Sequence, residues 1–173
     1  MVNGSQLVNE GMNVLSSFGN VIENKILSKS ASLKPQVISI SQKLVDISSM
    51  LFRLFESISK FVPDKDPGST VIPSTWWSIS IYSDRLVITR HKPMIVSVAY
   101  VKDDEKVVFK TKYLKLELQR GIIKLRKRGL KLELDPSNPE DIARKLSDIK
   151  YVLRDVAGVL ELLIYNAEKK FSK

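Results

Sequence analysis

Eight basic residues, Lys110, Lys112, Lys115, Lys124, Arg126, Lys127, Arg128 and Lys131, fall within one short stretch of the chain. Ammonium and guanidinium groups gathered this closely suit one task in particular. They replace the counterions of a phosphate chain, a gain that does not depend on base sequence. In the segment GIIKLRKRGLKLELD, residues 121–135, the apolar Ile123, Leu125, Leu130, Leu132 and Leu134 alternate with Lys124, Arg126 and Lys131. The alternation predicts two strands with one buried and one positive face, joined at a basic hairpin tip of Arg126, Lys127 and Arg128. Lys110, Lys112 and Lys115 project outward by the same rule.

Residues 84–131 hold 14 Lys+Arg against 5 Asp+Glu and so carry the whole formal net charge of +9. A charge localised in this way points to an acidic partner. Aromatic residues bear on which one. If Trp77, Ile79 and Ile81 enter the core, Trp76 and Tyr82 stand on the opposite face with Ser78 and Ser80 between them. Outward aromatics beside cations form a stacking platform for unpaired bases. The competing role for Trp76 is packing beneath the N-terminal helices.

Other chemistry finds no support. His91 is the only histidine and there is no cysteine, which argues against a hydrolytic triad, a zinc site and thiol catalysis. The glycines form no phosphate-cradling loop. Asp103, Asp104 and Glu105 read as a solvated hairpin turn rather than a cation site. No catalytic residue, metal or cofactor is expected.

The elements that must position these residues are legible from periodicity. Over 6–27 the apolar residues follow a helical spacing weakened by Gly11 and Gly19. Val37, Ile40, Leu44, Ile47, Leu51, Leu54, Ile58 and Phe61 then form a heptad seam, with Ser32 as N-cap and Pro35 in the first turn. PDKDPGST, residues 63–70, stops the helix. From Trp76 to Asp135 the period changes to 2 and predicts an antiparallel meander of five to seven strands, with a bulge or corner near Tyr113 where the alternation slips. Asn138 and Pro139 open a C-terminal helix whose seam runs through Ile142, Leu146, Ile149, Leu153, Val156, Leu160, Leu163 and Ala167.

The expected architecture is therefore α+β. A single domain over 1–173 comprises a helical hairpin at 6–62, a basic antiparallel segment at 76–135 and a long heptad helix at 138–171. No stretch has the length and apolarity of a membrane-spanning helix, and the N-terminus lacks the pattern of a signal peptide. A cytoplasmic location is the expectation.

Two functions are weighed first. One is a non-enzymatic nucleic-acid-binding protein, single- or double-strand preference open, that uses the ten residues Trp76, Tyr82, Lys110, Lys112, Lys115, Lys124, Arg126, Lys127, Arg128 and Lys131. The alternative is a structural or adaptor protein, with Leu44, Leu51, Leu54, Leu153 and Leu160 joining a homodimer or a protein partner. Peripheral attachment to an anionic membrane ranks below both, because the sequence offers no exposed apolar helix flanked by lysines.

Overall fold

A computed structural model describes residues 2–171. α1 (Gly4–Lys25) opens at Asn3, whose side-chain oxygen accepts a hydrogen bond from Gln6 N at 2.9 Å. A 3-10 turn at Leu27–Ser32 leads to α2 (Pro35–Ile58). Ser32 does not cap α2, because its hydroxyl donates back to the Lys29 carbonyl; Lys34 occupies the cap position and Pro35 begins the helix.

Eight strands follow: β1 (Thr70–Ser74), β2 (Trp77–Ile81), β3 (Arg85–Arg90), β4 (Val96–Val101), β5 (Lys106–Lys110), β6 (Leu114–Gln119), β7 (Ile122–Lys127) and β8 (Leu130–Leu134). They form one antiparallel sheet in sequence order. The architecture is α+β as expected, with one strand more than the upper end of the expected range. The strand not foreseen is β1, which precedes Trp76, where the strand region was expected to begin. β1 lies in a stretch whose Pro73 and irregular pairing hide its period. The slip near Tyr113 is a chain reversal at 111–113 between β5 and β6, where Thr111 Oγ1 accepts from the amides of Tyr113 and Leu114.

The C-terminal helical region is also in two parts, α3 (Pro139–Arg144) and α4 (Leu146–Phe171). Asp141 explains the break at Lys145. Its carboxylate accepts from Asp135 N at 2.9 Å and binds Arg144 and Lys145 at 2.7 and 3.1 Å, so the turn is tied to the end of β8. Lys145 Nζ also donates to the Glu133 carbonyl.

One face of the sheet carries the core, with Ile79, Ile88, Val98, Phe109, Leu116 and Ile123 all buried beneath helices. α4 crosses the strands near one end of the sheet. Its Asp155 meets Lys127 at the end of β7 and its Phe171 packs edge-on against Trp77 at the start of β2, ring centroids 5.1 Å apart. α1 crosses near the other end, where Glu10 pairs with Lys102. Gly11 permits that approach: a Cβ there would lie 3.0 Å from the Phe55 ring and 3.2 Å from Tyr100 Cβ.

α2 lies across both α1 and α4, and a wide stripe of it is buried. Ser48 donates to the Leu15 carbonyl at 2.6 Å, which fixes α2 on α1. The heptad seams therefore close within the chain. Leu44, Leu51, Leu54, Leu153 and Leu160 are all buried in the single core cluster, and their side chains offer no surface to a second subunit. Among the described residues no helix is long and apolar enough to cross a membrane.

Candidate nucleic-acid interface

The face of the sheet away from the helices is built by the outward residues of β2 to β8. Register, rather than alternation alone, decides what they form. Ser78 stands opposite Thr89, Thr89 opposite Ser97, and Ser97 opposite Lys110. The same row continues with Lys110 opposite Lys115, Lys115 opposite Arg126, and Arg126 opposite Lys131. Directly opposed residues project on the same side with Cβ atoms ~5 Å apart. Three hydroxyl side chains and then four cations thus form one line across seven strands, ~29 Å long at the usual strand spacing.

The neighbouring row is different in kind. Val108, Glu117, Lys124 and Glu133 stand opposite one another in turn, so Lys124 is flanked by two carboxylates. Glu117 is nearly buried and anchors this row, 2.7 Å from Lys106 and 3.7 Å from Lys115. Burial pushes its pKa up, but the Lys106 hydrogen bond and the charges of Lys106, Lys115 and Lys124 outweigh that effect and hold it below the ordinary value. Lys106 moves the other way, its pKa raised chiefly by the hydrogen bond to Glu117. Glu117 is therefore an ionised counter-charge. A groove of about 420 Å³ runs between the two rows, with Lys115, Arg126 and Lys131 on one side and Glu117, Lys124 and Glu133 on the other.

The connections sort by charge. At one end of the sheet lie 75–76, 91–95, 111–113 and 128–129, which contain His91, Lys92, Lys112 and Arg128 and no acidic residue. At the other end lie 82–84, 102–105, 120–121 and 135–138, which contain the five acids Asp84, Asp103, Asp104, Glu105 and Asp135 against the two cations Lys102 and Arg120. A cavity of about 330 Å³ at the acidic end is lined by Glu10, Glu105, Asp135 and Tyr100 among others. Burial, with Glu10 and Glu105, pushes the Tyr100 phenol up to about 12. The sheet is polarised along its strands, and the row of four cations lies toward the basic end.

This polarity separates two residues that alternation brought together. Trp76 sits in the β1–β2 turn at the basic end, half-exposed, and is not on β2 at all. Tyr82 follows β2 at the acidic end, where its partner is Arg85, itself beside Asp84. Five strand residues lie between them, so they do not make one platform. Lys127 also departs from expectation. It follows Leu125 on the helix side of β7, bonds Asp155 at 2.6 Å and lies 3.6 Å from the Tyr151 ring centroid. It belongs to the packing of α4 rather than to the hairpin tip.

Tyr113 is an aromatic residue beside the cations that alternation did not single out. It is exposed at the basic end, with the Arg128 guanidinium 4.7 Å and the Lys112 ammonium 5.5 Å from its ring centroid. Arg128 N donates to the Tyr113 carbonyl at 2.8 Å, which locks the two turns together. The signal for Tyr113 in the sequence was the slip in alternation, which marks a turn and hence an exposed side chain. Arg90 also lies at this end but on the core side, buried, with Nε and Nη1 lacking hydrogen-bond partners; burial lowers its pKa.

Among the described residues no group of histidine and acidic side chains is arranged to hold a metal ion. Comparison of the chain with protein families, with curated proteins and with solved structures finds no match.

Proposed function

We propose that the protein is a non-enzymatic, sequence-tolerant nucleic-acid-binding protein of the cytoplasm, and that the row Lys110–Lys115–Arg126–Lys131 is its phosphate track. The observation that carries this reading is the register. Like charges directly opposite one another on a sheet are destabilising, and here four cations stand in one line without an acid among them. A linear polyanion relieves that repulsion along its whole length, whereas a compact anion meets only part of the line.

Ser97, Thr89 and Ser78 extend the track with neutral donors, and the Ser78 hydroxyl and His91 Nε2 lie 2.8 Å apart at its far end. Tyr113 flanks the cations from the β5–β6 turn and Trp76 stands near Ser78 at the neutral end of the row; both favour unpaired bases, which stack on any aromatic face. The lack of cysteine suits a reducing compartment. The direct test is binding of labelled single-stranded and duplex oligonucleotides across a salt series, with Lys115→Glu/Arg126→Glu as the control.

A further inference from the structure

The basic end carries four large exposed apolar side chains, of which Met94 and Ile95 have no part in the phosphate track. Trp76, Met94, Ile95 and Tyr113 are 49%, 41%, 63% and 46% exposed. They lie in three successive connections at the same end of the sheet. Each connection is displaced from the next by two strand spacings, ~10 Å. The tips therefore stand in line across the end of the sheet. His91 N donates to the Trp76 carbonyl at 2.7 Å, which seats the first turn against the second.

Single apolar side chains in water are ordinary, but several aligned on one end mark a contact surface. These are the tips of separate turns. A deformable apolar medium that admits each tip independently suits them better than a preformed groove. The charge around them narrows the choice further. Lys92 and Lys112 share these turns and Arg128 lies in the next one at this end, and the four turns contain no Asp or Glu. The nearby carboxylate of Asp155 is already engaged by Lys127 at 2.6 Å.

We propose that this end of the sheet docks on an anionic lipid bilayer, with Met94, Ile95 and Trp76 entering the boundary between headgroups and acyl chains and Lys92, Lys112 and Arg128 level with the lipid phosphates. Trp and Tyr rings favour that boundary because they are apolar with one polar edge. Apolar contact and attraction to anionic lipid act together in such attachment, and neither is sufficient alone. The phosphate track lies on the open face of the strands; Trp76 and Tyr113 serve both readings, whereas Met94 and Ile95 serve the bilayer alone and Lys115 and Arg126 the track alone, so variants at these positions separate the two.

The test is co-sedimentation of the whole chain with vesicles of phosphatidylcholine alone and of equal parts phosphatidylcholine and phosphatidylglycerol, at low and high salt. Tryptophan emission is followed in parallel. Trp77 is 3% exposed and already in the core, so a blue shift on adding vesicles reports Trp76, and Trp76→Phe is expected to remove it. Binding to the anionic vesicles is expected, weakened by salt and absent with phosphatidylcholine alone. Ile95→Asp, at an exposed position where circular dichroism is expected to be unchanged, should lower partitioning by about tenfold or more while leaving oligonucleotide binding intact. Lys115→Glu/Arg126→Glu should do the reverse, keeping the Trp76 shift and losing the oligonucleotide. Equal binding to both vesicle types, no binding at low salt, or undiminished binding of Ile95→Asp overturns the proposal. A chain that binds anionic vesicles but no oligonucleotide refutes only the nucleic-acid reading.

Discussion

Lys115 stands directly opposite Arg126 across β6 and β7, and each has a further cation, Lys110 or Lys131, as its other neighbour in the row. Mutual repulsion in such a row is a standing cost to the fold. Lys115→Thr replaces a charge with a residue well suited to strands and removes two like-charge contacts. It is expected to stabilise the protein by about 0.2–1 kcal/mol, read as a raised urea midpoint, while weakening oligonucleotide binding. Stability and binding moving in opposite directions is the signature of a charge kept for a ligand. A loss of stability would mean that Lys115 serves mainly to pair with Glu117.

The closed seams give a second prediction. Leu51 of α2 and Leu153 of α4 are buried in the core cluster, and the two helices pack on each other. Leu51→Ala or Leu153→Ala should each cost about 2–5 kcal/mol. Because the contact lies within one chain, the unfolding midpoint of wild type and variants should not depend on protein concentration. A midpoint that rises with concentration would place an essential interface between chains.

The aromatic residues divide by the end of the sheet they occupy. Tyr113→Ala and Trp76→Ala should each weaken single-stranded oligonucleotide binding by about 1–3 kcal/mol, measured by fluorescence anisotropy. Tyr82→Ala, at the acidic end, should leave it unchanged. Duplex binding should be less sensitive to all three, since paired bases do not stack on the protein.

Acid sensitivity follows from three carboxylates. Lys127 holds Asp155 below its usual pKa, chiefly through its hydrogen bond. In Glu117 and Asp141 burial acts upward, but hydrogen bonds and neighbouring cations prevail and leave both lowered. Groups lowered on folding contribute stability that is fully present above their unfolded pKa, about 4, and is lost as pH falls through the lower folded values. The urea midpoint should therefore hold steady from neutral pH to about pH 5 and fall below about pH 4. Asp141→Asn should lower the midpoint at neutral pH and flatten the acid limb, because the ties to Asp135, Arg144 and Lys145 are then already weakened.

Much of the fold was legible because its signals are local. The heptad seams of α2 and α4 and the alternation of β2 to β8 come from residues that meet the same environment at fixed intervals. The direction in which Lys110, Lys115, Lys124 and Arg126 point was legible for the same reason. Their register was not, since it depends on turn lengths: the reversal at 111–113 aligns Lys110 with Lys115 and moves Lys112 off the face. Charge alone also did not separate Lys124, with Glu117 and Glu133 directly opposite it, from the cations that have no acid directly opposite. Lys127 and Tyr82 were misplaced by non-local facts, the path of α4 past β7 and the end of the sheet at which β2 stops.

The most direct measurement is the salt dependence of single-stranded oligonucleotide affinity for wild type and Lys115→Glu/Arg126→Glu. Four phosphate contacts on a single strand correspond to a slope of log affinity against log salt of about −3, and two contacts to about −1.4. Wild type is expected near the first value, with the variant much weaker and at or below the second. No binding at low salt, or a variant that matches wild type in affinity and slope, would contradict the assignment of this row as a phosphate track.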